Sequence, residues 1–285
     1  MRRLALLLIS SALLGPALPP QVQVTAVVTV VPGGATPVTD LTAADFIVHD
    51  DGTKREVVKA DSISQVPLYV TVLMDVSKPP SGVIPPVRDM RLALSSFVSA
   101  IRANNPGAQF AYVEVAAGAV PRVGFDAKEG ELEEAMGKVV TGQTSDAGVL
   151  EGVAEAARAM KDKPTIRRAI VSIDFSSPES GADRSGRVMI EEVQNAQASF
   201  WAVTVRDTRA TTSRRESGLT VAANVSGGMR LTAVSATGLE SMAKQVAAAL
   251  SSQYLVTFTR PSGVIKELKV ETTKGHKATV GVLLR

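Results

Sequence analysis

The chain has no cysteine and only two histidines. Without cysteine there can be no disulfide, no thiolate metal site and no lipid anchor carried on a cysteine. His49 stands beside Asp50 and Asp51, and His276 sits in a lysine-rich turn, so the paired spacing of a zinc helix is missing. No Gly-x-Ser-x-Gly elbow, P-loop or Gly-x-Gly-x-x-Gly fingerprint occurs either. Aromatic residues make up 4% of the chain. The 31 basic residues exceed the 28 acidic ones only slightly, and removing Arg2 and Arg3 of the leader leaves 31 − 2 = 29. A basic face interleaved with aromatics, the footprint of a nucleic-acid partner, is therefore excluded. Beyond the first residues no apolar run approaches the ~20 residues of a membrane span.

What is present begins with Met1-Arg2-Arg3 and the run LALLLISSALLGPAL. Charge, a short apolar core and the small residues Gly15 and Ala17 around Pro16 predict a signal peptide over 1–17, cleaved after Ala17. The expected destination is secreted or periplasmic, in the cell envelope, with no membrane span in the mature chain.

The remainder changes rhythm twice. Over 18–66, Val22 to Val31 alternates as a strand, and Phe46, Val48, Asp51-Gly52, Val57 and Val58 predict a hairpin turning at Asp-Gly. Over 67–251, apolar strands alternate with helical spacing. Leu68 to Met74, Gln109 to Val115, Ala119 to Phe125, Ala169 to Asp174, Phe200 to Val205 and Met229 to Thr232 read as strands. Val87, Met90, Leu94, Phe97, Val98 and Ile101 mark one helix, and 131–140, 148–160, 185–196, 219–225 and 239–250 read as others. Over 252–285 three alternating runs return to β-structure. The predicted architecture is α/β: a doubly wound, mostly parallel sheet with a small β-sandwich built from both chain ends, neither of which could bury a core alone.

The apolar run Leu68–Met74 ends in Asp75, followed by Ser77 and a Pro/Gly-rich loop. In open α/β sheets the crevice beyond the strand carboxyl ends is where ligands bind. Asp-x-Ser there offers two hard oxygens, which suit Mg²⁺ or Mn²⁺. The plainer alternative is a strand-terminal aspartate that caps the next turn.

Three segments together resemble the von Willebrand factor type A domain family, in its bacterial secreted form. They are the Asp75-x-Ser77 strand end, VTDLTAADFIVHDDGTKREV, and SGGMRLTAVSATGLESMAKQVAAALSSQYLVTFTRP. The resemblance implies a metal-ion-dependent adhesion site of Asp-x-Ser-x-Ser, a loop threonine and a fourth-strand aspartate. Asp75, Ser77 and Thr144 match, Pro79 replaces the second serine, and Lys78 intrudes. Phe175 stands where the aspartate is expected, with Asp174 one residue early, which on an extended strand directs it to the other face. The expectation is a degenerate site with no cofactor or weakly bound Mg²⁺ or Mn²⁺, where Lys78 takes the cation's place beside Asp75.

Arg206, Arg209, Arg214 and Arg215 follow the strand Phe200–Val205 and form a rim that could accept carboxylates, or else an ordinary surface loop. The functional expectation is a non-enzymatic, adhesion-type protein-interaction module whose partner contributes an acidic side chain. The alternatives are an envelope scaffold assembling through strand edges and a cryptic hydrolase.

Overall fold

The computed structural model describes residues 20–78, 87–128, 130–142, 144, 146–177, 179–206 and 213–284. The leader 1–17, Pro79 and Arg209 lie outside them.

The chain enters through β1 (Gln21–Val31), β2 (Phe46–Asp50), β3 (Thr53–Arg55) and β4 (Val57–Ser62). The α/β segment runs β5 (Leu68–Asp75), α1 (Val87–Asn104), β6 (Gln109–Val115), β7 (Ala119–Val123), α2 (Glu131–Gly137), α3 (Val149–Met160) and β8 (Arg167–Phe175). It continues with α4 (Ala182–Asn195), β9 (Ser199–Val205), α5 (Arg214–Val225), β10 (Met229–Ala233) and α6 (Leu239–Leu250). The last strands are β11 (Gln253–Pro261), β12 (Leu268–Thr272) and β13 (Lys277–Leu284).

Among the described residues these form one sheet ordered β10-β9-β8-β5-β6-β7 and two antiparallel sheets, β13-β1-β11-β4 and β12-β2-β3. The large sheet is parallel apart from β7, which returns antiparallel against β6. Strands β5, β8 and β9 read as continuous apolar runs because both their faces are covered. One face packs on α1 and α6 through Val72, Met74, Phe97, Ile173 and Val246. The other packs on α3, α4 and α5 through Leu73, Ile170, Val153, Met189 and Leu219.

The antiparallel sheets share one core drawn from both chain ends, with Val28 and Val48 meeting Tyr254, Phe258 and Val270. In β1, which lies between β11 and β13, each second residue (Val24, Ala26, Val28 and Val30) enters that core, and Val27, Thr29 and Val31 on the opposite face are buried as well. Asp51 (φ 49°) and Gly52 (φ 76°) supply the two left-handed residues of a tight hairpin turn. That hairpin is shorter than predicted. It closes with β3 at Arg55, whereas Val57 and Val58 begin β4, which crosses to the other sheet and pairs with β11.

Two devices join the units. Gly227 passes so close to β13 that a Cβ there would sit 2.5 Å from the Cα of Gly281. The second is Arg167, at the first residue of β8, which is buried and donates to the carbonyls of Ile63, Val66 and Leu250 and to the side-chain oxygens of Gln253 and Asn105.

Candidate functional site

The carboxyl ends of β5, β8 and β9 and the N-termini of α3, α4 and α5 meet at one edge of the large sheet. Register places Met74 opposite Ile173, so the next residues, Asp75 and Asp174, are neighbours. Leu73 and Ile170 lie in the core facing α3, α4 and α5, while Met74, Ile173 and Phe175 lie in the opposite core. By strand alternation Asp75 and Asp174 therefore share the α3–α5 face. This corrects the expectation that Asp174 points away from Asp75. The residue directed to the other face is Phe175.

Between the two aspartates lies Arg215. Its side chain is 1% exposed and comes from the first turn of α5. Nη2 is 3.2 Å from Asp174 Oδ1 and 3.6 Å from Asp75 Oδ2, and Nε is 3.3 Å from Glu179 Oε2. Nη1 donates to the carbonyls of Phe175 (2.5 Å) and Ser177 (2.8 Å). Asp75 is further held by the backbone N–H of Ser77 (3.0 Å) and of Phe175 (3.3 Å), and Asp174 accepts from Ser172 Oγ (2.9 Å). Glu179 accepts from the Leu150 N–H (3.0 Å), so its carboxylate also caps the first turn of α3.

The sequence prepares this placement locally. Ser213 and Glu216 form a reciprocal capping box, with Glu216 N–H donating to Ser213 Oγ and Ser213 N–H to Glu216 Oε2. That fixes the start of α5 one residue before Arg214, leaving Arg214 exposed and Arg215 directed inward. Glu216 itself is buried and gathers Arg230 (2.8 Å), Arg206 (3.6 Å) and Ser176 Oγ (3.1 Å).

Three carboxylates surround one guanidinium, so full ionisation would leave buried negative charge in excess. Burial pushes the Glu179 carboxyl up to about 7, against the opposing pull of Arg215. Burial likewise raises Asp174, again opposed by Arg215. Protons thus share with Arg215 the task of neutralising the cluster.

The other predicted residues are placed as follows. Ser77 is fully buried, and neither its hydroxyl nor that of Ser177 has a hydrogen-bond partner among the described residues. Thr144 adjoins the loop through its carbonyl, which accepts from Lys78 N–H (2.7 Å), while its Oγ1 accepts from Asp146 N–H (3.3 Å). Lys78 is exposed, and the cation paired with Asp75 is Arg215, not Lys78. Arg215 is accordingly not part of an exposed rim. Arg214 is exposed and ion-paired with Asp183, and Arg206 is paired with Glu216. The residues present do not fit a divalent ion while the guanidinium lies between Asp75 and Asp174.

Sequence reasoning missed Glu179, Glu216, Arg184 and Arg187. The signal for the first turn of α5 was available in Ser213-x-x-Glu216. Arg184 and Arg187, both exposed, line a groove of about 440 Å³ with Glu179, Asp183, Arg214 and Arg215, between the N-termini of α4 and α5.

No family model and no curated protein sequence matches this chain. Among solved structures, proximal thread matrix protein 1 from the mussel byssus superposes with a TM-score of 0.50 at 15% identity. That match covers 73% of this chain and 50% of the other, so this chain spans about half the length of that protein. The SpRpn10 VWA domain aligns with a TM-score of 0.48 at 15% identity, covering 60% of this chain and 93% of that one. The chain has a von Willebrand factor type A-like fold. The buried Arg215 cluster sits at the carboxyl edge of the large sheet.

Proposed function

We propose that this protein is an exported, non-enzymatic interaction module that binds an acidic segment of a protein partner at the carboxyl edge of its type A sheet, without a bridging metal ion. The observation that carries this reading is the groove between α4 and α5. Arg184 and Arg187, both exposed, line it beside the Arg214–Asp183 pair, while Arg215 is neutralised by its own buried carboxylates, so Arg184 and Arg187 are the cations the groove presents. Arginine binds a carboxylate by donating two parallel hydrogen bonds to it, which gives geometry as well as attraction. The N-cap of α4 is Gly181, whose missing side chain leaves the opening turn without a side-chain cap. The positive end of that helix adds to the field of the arginines.

The reading makes recognition dependent on salt and independent of Mg²⁺, because exposed arginine–carboxylate contacts weaken as ionic strength rises. The decisive experiment is retention of a partner from an envelope extract by the wild-type chain and by Arg184→Glu/Arg187→Glu, each with Mg²⁺ and with chelator. The expected result is retention by the wild type in both conditions and at least about tenfold weaker retention by the double variant, equivalent to about 1.4 kcal/mol. Equal retention by both proteins would move recognition off this groove. Retention lost on chelation would return it to a metal-bridged mechanism.

A further inference from the structure

We propose that Arg215 is a tethered cation: its guanidinium fills the place a divalent ion would take beside Asp75 and Asp174, closing the site to metal, and removing that side chain opens a latent metal site. The inference concerns the cluster alone and stands whether or not the neighbouring groove binds a partner.

Four observations support it. Arg215 Nη2 lies within 3.6 Å of both Asp75 and Asp174, the carboxylates that strand register sets side by side. The side chain is buried and its Nη1 donates to the carbonyls of Phe175 and Ser177, so the guanidinium is built into the loop after β8 rather than swept in from solvent. Ser77 and Ser177 touch the cluster through their backbones, at Asp75 and Arg215, and their buried hydroxyls have no hydrogen-bond partner among the described residues, which leaves two hard oxygens unused in these two loops. Finally, the single charge of Arg215 faces three carboxylates, the third being Glu179 at Nε. Three carboxyl groups therefore converge on one guanidinium, a set of hard oxygens that a divalent ion would also draw together.

Geometry explains why the protein cannot hold both cations. An ion at the position of Nη2 would face Asp75 and Asp174 directly, with hard oxygens of the kind Mg²⁺ and Mn²⁺ take at about 2 Å. A guanidinium nitrogen cannot share that volume, and it is anchored by its own helix, whose capping box at Ser213 fixes where the side chain enters. Because the cation is covalently attached, its effective concentration is independent of the surrounding medium.

Mn²⁺ binding, followed by calorimetry and by thermal unfolding, tests the proposal on the full chain. The wild-type protein and Arg215→Lys, which keeps a charge, should neither bind nor be stabilised by millimolar Mn²⁺. Arg215→Ala should bind Mn²⁺ at least about tenfold more tightly than wild type and melt higher in its presence, and Asp75→Asn in that background should remove the effect. If Arg215→Ala is unfolded without the ion, recovery of a cooperative melt on adding Mn²⁺ supports the same conclusion. If it stays unfolded, Arg215→Gln replaces it, since an amide retains a donor for the Phe175 and Ser177 carbonyls. The proposal is overturned by micromolar Mn²⁺ binding to the wild-type chain that Asp75→Asn abolishes. It is also overturned by a folded Arg215→Ala, or failing that Arg215→Gln, with no more affinity for Mn²⁺ than wild type.

Discussion

The two ends of the central region of the large sheet each bury an arginine, and the two are satisfied in opposite ways. At the base, Arg167 begins β8 and is surrounded by neutral acceptors: backbone carbonyls of Ile63, Ser64, Val66 and Leu250, and the side-chain oxygens of Asn105 and Gln253. Desolvation brings its ordinary value of 12.5 down to about 10, which still leaves it charged at neutral pH. At the carboxyl edge, Arg215 is surrounded by Asp75, Asp174 and Glu179. A neutral cage uses a cation as a multi-armed donor that ties segments together without introducing a titrating partner. A carboxylate cage makes the same residue part of a charge balance that protons and metal ions can disturb. The base is thus built for attachment of the antiparallel sheets to the type A fold, and the edge for electrostatics.

The largest effect should come from Arg167→Met. Removing the guanidinium strands the buried carbonyls of Ile63 and Leu250 and the buried side-chain oxygens of Asn105 and Gln253, and each such loss is expensive. The expected cost is about 4 kcal/mol in urea denaturation, in the range found when a buried charged hydrogen-bonding group is deleted. Because Ile63 and Gln253 belong to the antiparallel part and Leu250 and Asn105 to the α/β part, unfolding should also lose its single transition. A two-state curve with a loss below about 1 kcal/mol would mean that the base does not depend on this residue.

The edge should respond to pH where the base does not. Glu179 has a folded value of about 7 against an ordinary 4.5, so the fold favours its neutral form. That stabilisation is complete below about pH 4.5 and lost as pH rises through about 7, an effect on the order of 3 kcal/mol at most. Asp174, also raised, acts in the same direction. The difference in unfolding free energy between wild type and Glu179→Gln should therefore change between pH 5 and 8 in favour of the variant, whose amide oxygen still caps α3. A pH-independent difference would show that the carboxyl stays ionised throughout. Arg167→Met should show no such dependence over the same window.

The smallest effect tests how Arg215 is aimed. Ser213→Ala removes the hydroxyl that accepts from Glu216 N–H, at an expected cost of about 1 kcal/mol. If the cap also orients Arg215, the variant should make the cluster more permissive to Mn²⁺ than wild type. The same loss of stability with no change toward Mn²⁺ would assign the aim to packing of α5 alone.

Much of this could be read before any coordinates. The apolar run ending at Asp75 is a buried parallel strand because only a two-sided cover permits residues 68–74 to be almost uniformly apolar. Asp51-Gly52 specified the turn, since few other pairs tolerate two consecutive left-handed residues. The pairing of the two chain ends followed from the size of each, and β1 does lie between β11 and β13. Boundaries were less legible. Arg214 and Arg215 are expected in a loop, because the sequence around them is polar and the apolar face of α5 becomes visible only from Leu219 onward.

What sequence alone determined, then, is the alternation of strands and helices, the carboxylate at the end of β5 and the Asp75-x-Ser77 spacing beyond it. What tertiary structure decided is which cation answers that carboxylate. Lys78 is three residues from Asp75 and is exposed, whereas Arg215 lies on another helix and reaches the aspartate within 3.6 Å. It also decided that Asp174 shares a face with Asp75, a matter of register between β5 and β8 that no single strand contains. Periodicity is local, since it comes from backbone geometry repeated along one segment. Coulomb interaction depends on distance through space and on burial. The partner of a buried charge is therefore chosen by the packing of the helices around the sheet.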